Sequence, residues 1–323
     1  MKIAITGANG FVGSNLIRHF QAAGHEVLAL VRSVESAELL KSIVKTIVVD
    51  YYNPSQLYEA LCDIDVVVHN AGKTKALDMD EMMQANVGTT ENIITAINSI
   101  DRETQLIYIS SQAASRPSYG NVPVKESDPP APLTNYGKSK LAAELLIRSK
   151  CNQPYTIVRP CSVYGSHDKD FLNLFKMVNK GFSFQIGKQD KLLNMIHVDE
   201  LAQFISLCLQ NPKVYRQTIF ATDGKVYRQS QIMRSIARAL HKSPKSIVIP
   251  EWIARIAFTI GGMYGKLFSV AVIVNKDKMK EIMAPGWVAD TTKAKDLLDW
   301  NPVSDIDRNL METAKCYRVL GWL

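Results

Sequence analysis

Lys2-Ile3-Ala4-Ile5-Thr6-Gly7-Ala8-Asn9-Gly10-Phe11-Val12-Gly13 is the stretch from which the fold can be read. Its first five residues have the apolar content of a short strand. From Phe11 to Ala23 the apolar residues Phe11, Val12, Leu16, Ile17 and Phe20 recur at helical spacing. The glycines therefore fall on a strand-to-helix turn. Gly7 permits the tight turn, Gly10 lets backbone approach a pyrophosphate, and Gly13 allows the helix to pack closely on the strand. The amide groups and the positive end of the helix dipole then face phosphate.

Moving outward, β-rich runs near 2–6, 26–31, 46–49, 64–69, 104–109 and 154–159 alternate with helical segments. Strands joined by helices pair in parallel with right-handed crossovers, so the expected fold is α/β, a doubly wound parallel sheet of Rossmann type. Residues 1–165 are expected to form the dinucleotide-binding domain, with 196–222 returning to it. Residues 166–195 and 223–323 are expected to form mainly a smaller substrate lobe. Pro117 to Leu133, with five prolines, reads as an extended loop over the site, and Asp305 to Leu323 as an amphipathic helix ending near Gly321.

Further along, the apolar strand Leu106-Ile107-Tyr108-Ile109 ends in Ser110-Ser111, which sets a hydroxyl at the carboxyl edge of the sheet, where open α/β folds bind ligands. Tyr136 and Lys140 stand four apart at the head of a helical pattern and share one face. A phenol with an ordinary pKa of about 10 becomes a better acid/base when an ammonium stabilises its anion, and Lys140 is placed to supply that charge.

With these motifs in order, the chain resembles the extended short-chain dehydrogenases/reductases of the epimerase/dehydratase superfamily over nearly its whole length. The match runs through Thr6 to Gly13, Asp50, Asn70-Ala71-Gly72, Asn86-Val87 with Thr89-Thr90, and Ser111 with Tyr136 and Lys140. It continues through Arg159-Pro160 with Val163-Tyr164-Gly165, His197 to Ala202, Asp290 to Ala294 and Trp300-Asn301-Pro302. The resemblance implies Ser111, Tyr136 and Lys140 as catalytic residues. It implies a cofactor site of Thr6, Gly7, Asn9, Gly10, Phe11, Val12, Gly13, Arg32, Asp50, Tyr51, Asn70, Ala71, Gly72, Asn86, Ile109, Tyr136, Lys140, Pro160 and Val163. It also implies a homodimer through the 86–100 and 136–150 helices, whose Ile93, Ile97, Leu141 and Leu145 could face a partner or the sheet.

The cofactor follows from the end of the second strand. An NAD enzyme usually carries an acid there for the ribose 2′-hydroxyl, whereas this chain reads Leu30-Val31-Arg32-Ser33. A guanidinium suits a 2′-phosphate, which favours NADP(H), with NAD(H) as the alternative.

The expected activity is hydride transfer between the nicotinamide and a carbonyl or alcohol. The runner-up is a nucleotide-sugar epimerase, and the third reading a cofactor-binding module without turnover. In sugar dehydratases the catalytic hydroxyl precedes an Asp-Glu pair. Here Ser111 precedes Gln112-Ala113, which argues against elimination. Ser162 replaces the asparagine that nucleotide-sugar relatives often carry three residues past the strand arginine, which weakens that reading.

Apolar segments at Ile247 to Pro250, Trp252 to Ala254, Ile256 to Phe258, Leu267-Phe268 and Val270 to Val274, with the sequel Ala284 to Asp290, are similar to dihydroflavonol-reductase and 3β-hydroxysteroid-dehydrogenase relatives. A hydrophobic small-molecule substrate would suit such a lobe.

Composition is consistent with this. The 323 residues can bury a large core. The five cysteines (Cys62, Cys151, Cys161, Cys208, Cys316) lack disulfide or metal-ligand spacing, so reduced thiols in the cytoplasm are expected. The six histidines are dispersed, and no metal site is expected. Met1 leads directly into the first strand, so no signal peptide is expected, and no uncharged apolar run nears the roughly 20 residues of a spanning helix. A net charge of +7 without basic runs interleaved with aromatics reads as solvated surface plus an anionic cofactor, so neither nucleic acid nor membrane is an expected partner.

Overall fold

The computed structural model describes residues 1–120, 122–267 and 276–323. Seven parallel strands make the central sheet: β1 (Lys2–Thr6), β2 (Glu26–Val31), β3 (Lys45–Val48), β4 (Val66–His69), β5 (Gln105–Ile109), β6 (Tyr155–Pro160) and a seventh strand, Gln217–Ala221. Their spatial order is β3-β2-β1-β4-β5-β6-seventh. Buried, β-branched runs such as Val66-Val67-Val68 suit a sheet covered on both faces. The winding reverses between β1 and β4, whose register sets Thr6 opposite His69. The crevice at that switch point is where a doubly wound sheet takes its ligand. The expected fold is therefore found, with strand ends within two residues of those read from the sequence.

Each face of the sheet has its own core. On one side Leu16 and Phe20 of the Phe11–Ala22 helix and Phe204 of the Val198–Cys208 helix cover Ile3 and Ile5. On the other, Leu57, Ile93, Ile97, Ala143 and Ile147 cover Leu106 and Tyr108. Ile93 and Ile97 thus pack on the sheet, whereas Leu145 is exposed and Leu141 half-buried on the outside of the Asn135–Lys150 helix.

A third cluster, with Phe175, Ile236, Leu310 and Tyr317, binds the helices Lys169–Asn179, Gln229–Leu240 and Ile306–Val319 into the second lobe. The last of these begins at an Asp305 cap, close to the sequence reading. Leu298 and Trp300 join the first core, and the Trp300 indole donates to Thr222 O at 2.7 Å.

The proline-rich stretch is pinned between the lobes. Val124 N donates to Val288 O at 2.9 Å and Asp290 N to Val124 O at 2.8 Å. In the second lobe Lys245–Ile249 forms a two-stranded parallel ribbon with Phe182–Ile186, followed by the helix Glu251–Leu267. The apolar positions Phe268 and Val270 to Val274 lie outside the described residues.

Candidate active site

The glycine loop fits a dinucleotide by what it excludes. Gly7 has φ +65°, and a Cβ there would lie 2.9 Å from the Ala71 Cα; a Cβ on Gly13 would lie 2.8 Å from the Ala8 Cα. Both are packed against backbone, so these glycines also shape the loop itself. Gly10 caps the Phe11–Ala22 helix without a side-chain hydrogen bond, and Asn9 and Gly10 are exposed. The first amide groups of that helix have no intrahelical acceptors, as an anionic group requires. Phe11 and Val12 are half-buried at its start, and Asn9 donates to Ser36 Oγ at 3.0 Å.

Beneath the loop runs a buried chain of hydrogen bonds. The Thr6 hydroxyl accepts from Asn70 N (3.1 Å) and Ala71 N (2.9 Å), leaving its proton for His69 Nδ1 at 2.8 Å. His69 is then protonated on Nε2, which donates to Thr90 Oγ1 at 3.0 Å, and Thr90 donates to Asn86 O at 2.6 Å. Burial, with the Lys140 charge nearby, pushes the His69 pKa down to about 3, which keeps the ring neutral. Asn86 itself accepts from Lys73 N (2.7 Å) and donates to Ser139 Oγ (2.8 Å), tying the loop after β4 to the Asn135–Lys150 helix. It sits in a π-helical turn, Gln84–Gly88, a distortion that often marks functional positions. A Cβ on Gly72 would meet Asn86 Oδ1 at 2.7 Å and stand 3.7 Å from Lys140 Nζ, so backbone passes directly over the lysine.

The three expected catalytic residues are brought to one place by β5, the turn after it and one helix. Ser111 caps the short 3₁₀ turn Gln112–Ala114, its hydroxyl accepting from Ala113 N at 3.1 Å. Thr134 caps the Asn135–Lys150 helix by accepting from Gly137 N at 3.0 Å. Gly137 lies flat against the 3₁₀ turn, since a Cβ there would be 2.9 Å from the Ala113 carbonyl carbon.

Tyr136 is half-buried, and its phenol is pushed up to about 12, by burial first and by the Glu281 carboxylate, while the Ser111 hydroxyl draws it down. Lys140 is buried, donates to Ile109 O at 2.7 Å and stands 4.5 Å above the Tyr108 ring centroid. Burial pulls its ammonium down to about 7, with Glu144 opposing. The lysine's hydrogen bond thus goes to the β5 backbone, and the phenol is held high, where the sequence reading expected it lowered.

One turn beyond Lys140, Glu144 is fully buried and accepts from Arg159 Nε (2.9 Å), Arg159 Nη2 (2.6 Å) and Ser110 Oγ (2.6 Å). This bidentate pair, with the Ser110 bond, clamps the Asn135–Lys150 helix to β6 and to the end of β5. Glu144 and His69 had no motif of their own in the sequence reading, and Gly137 lay within the run from Tyr136 to Lys140 without a role assigned to it. The four-residue step from Lys140 to Glu144 on one helix face was the available signal for the first.

The remaining expected cofactor residues surround the crevice. Arg32 is exposed at the end of β2 and makes no hydrogen bond or ion pair among the described residues; next to it Ser33 caps the Val34–Leu40 helix. Asp50 is exposed, with Oδ1 accepting from Tyr52 N at 2.9 Å. Tyr51 is buried and its hydroxyl donates to Leu30 O at 2.8 Å, so it braces β2. Pro160 ends β6, and Val163 pairs with Ile196 beside it. Among the described residues no group of histidine, cysteine and acidic side chains could hold a metal.

A model of the NAD dependent epimerase/dehydratase family matches residues 3–220. Among relatives, a UDP-glucose 4-epimerase of Vibrio cholerae is 26% identical, covering 98% of this chain and 95% of its own. A decarboxylating sterol-4-alpha-carboxylate 3-dehydrogenase of Dictyostelium discoideum is 29% identical over 83% of this chain and 86% of its own. The solved UDP-glucuronic acid 4-epimerase of Bacillus cereus, in complex with NAD, superimposes with a TM-score of 0.79 at 20% identity over the whole of both chains, a likeness of fold.

Proposed function

The chain belongs to the NAD dependent epimerase/dehydratase family, and from that membership we propose that it is an NAD(P)-dependent oxidoreductase acting on a carbonyl or alcohol. The observation that carries this reading is the meeting of Ser111, Tyr136 and Lys140 at the carboxyl edge of the sheet, next to the glycine loop. A bound nicotinamide would supply or accept the hydride. Tyr136 moves the proton on the substrate oxygen, and with its phenol pushed up to about 12 it holds that proton at neutral pH, ready for donation in the reductive direction. Ser111 hydrogen-bonds the same oxygen and stabilises its developing charge. Lys140, steered by Ile109 O, lies beneath the crevice, where it would grip the ribose hydroxyls.

NADP(H) is the favoured cofactor, supported by the unpaired Arg32 guanidinium beside the Ser33 cap. The exposed Leu145 on the catalytic helix supports a homodimer there. The test of function is titration with NADPH and NADH, then absorbance assays against ketones, aldehydes, steroids and nucleotide sugars. Net consumption of NADPH on a carbonyl is the expected result. The second reading, a nucleotide-sugar epimerase, is favoured by the near full-length match to such an enzyme. It would give a change of sugar configuration with no net redox.

A further inference from the structure

The second lobe turns apolar side chains outward. On the Glu251–Leu267 helix, Trp252, Ile256 and Ile260 are 64%, 52% and 62% exposed, while Ala254 and Phe258 are buried. A spacing of four residues makes the exposed three a single stripe. Beside it, Ile247 and Val248 of the Lys245–Ile249 strand are both exposed. Neighbouring residues of a strand point to opposite faces, so the Lys245–Ile249 strand is open on both sides, while its partner Phe182–Ile186 is mostly half-buried.

Cations frame the stripe. From 242 to 260 the sequence carries Lys242, Lys245 and Arg255 against Glu251 alone, which pairs with Arg255 at 4.0 Å, and Lys180 and Lys188 bracket the neighbouring Phe182–Ile186 strand with no acid between them. Lys180, Lys188, Lys242 and Lys245 are exposed and have no ion pair among the described residues.

An apolar face rimmed by ammonium and guanidinium groups matches an anionic bilayer: the apolar residues sink below the headgroups while the cations meet phosphates. A tryptophan at the end of the stripe suits headgroup depth. A second copy of the chain meeting this face about a two-fold axis would set the same cations against one another.

We infer that the 245–260 surface is a peripheral docking face for an anionic lipid bilayer, with the helix lying in the interface plane. Among the described residues no helix is long and apolar enough to cross a membrane, which fits a helix that lies on one. The face is joined to the active site. The next helix, Lys276–Met283, contributes Asp277, which accepts from Asn135 N at 2.7 Å, one residue before Tyr136. The sequence reading took these apolar segments as suited to a hydrophobic substrate; their outward orientation turns the stripe toward the surroundings instead. The inference stands on this surface and holds for either reading of the chemistry.

Flotation of the full chain with vesicles of equal phosphatidylcholine and phosphatidylglycerol tests it, with pure phosphatidylcholine vesicles as comparison. Binding to the anionic vesicles alone, weakened about fivefold for each of Lys242→Gln and Lys245→Gln, is expected. The double variant Trp252→Glu, Ile256→Glu should no longer float while keeping the wild-type circular dichroism melt. Absence of flotation by the wild type overturns the inference, as does flotation that the double variant retains. So does an Ile256→Glu substitution that dissociates a wild-type dimer indifferent to vesicles, which would assign the face to a second copy.

Discussion

Gly137 and Ala113 touch backbone to backbone: a Cβ at 137 would stand 2.9 Å from the Ala113 carbonyl carbon and closer still to its oxygen. This contact lets the first turn of the Asn135–Lys150 helix settle on the turn that begins at Ser111, which brings the Ser111 hydroxyl to the Tyr136 phenol. Gly137→Ala should push the two elements apart, at a cost of about 1–3 kcal/mol by overpacking. Turnover should fall further than stability does. Thermal melts and steady-state rates on the same preparation check this, and an alanine variant with unchanged turnover would refute it.

Tyr136→Phe removes the transferable proton and keeps the ring. Turnover should drop by about 10²–10⁴, with NADPH affinity within a factor of about two, because the glycine loop and Arg32 are untouched. Stopped-flow rates alongside fluorescence titration separate the two effects.

The His69 imidazole, ordinarily near 6.5 and pushed down to about 3, resists protonation in the folded protein. The unfolded chain takes up the proton first as pH falls. The contribution of His69 to stability is therefore complete above about 6.5 and is lost progressively toward 3, by about 1.4 kcal/mol per pH unit. Urea unfolding at pH 7, 5 and 4 should show that slope in the wild type and a flatter one in His69→Gln.

Arg32→Glu should turn the cofactor preference. Losing a charge-assisted contact worth about 1.5–3 kcal/mol would weaken NADPH binding by about 10- to 100-fold and leave NADH binding nearly unchanged. Equal affinity of the wild type for both cofactors would remove the basis for the NADP(H) assignment.

Glu144→Gln strands the guanidinium of Arg159, which is 3% exposed. Breaking a buried pair from one side costs about 3–5 kcal/mol. The double variant Glu144→Gln, Arg159→Met should regain part of that, because no unpaired charge remains inside. Chemical denaturation of both variants measures the difference.

Much of this protein could be read from local pattern. The glycine loop, the strand ends and the helix carrying Tyr136 and Lys140 are written in contiguous residues, because turn chemistry and side-chain periodicity act over a few positions. They determined a doubly wound sheet and the glycine turn at its first crossover, and they supplied the candidates Ser111, Tyr136 and Lys140. Tertiary structure alone decided the rest. Glu144 meets Arg159 only after a helix has been laid across two strands, and Thr6 reaches His69 only because β1 and β4 become neighbours across 63 positions of chain. The pull of Ser111 against the push of burial and Glu281 on Tyr136 arises from three separate segments converging. Exposure is the plainest case: Ile256 and Phe258 look alike in the sequence, yet one is open to solvent and the other buried, because only packing decides which side of a helix has a neighbour.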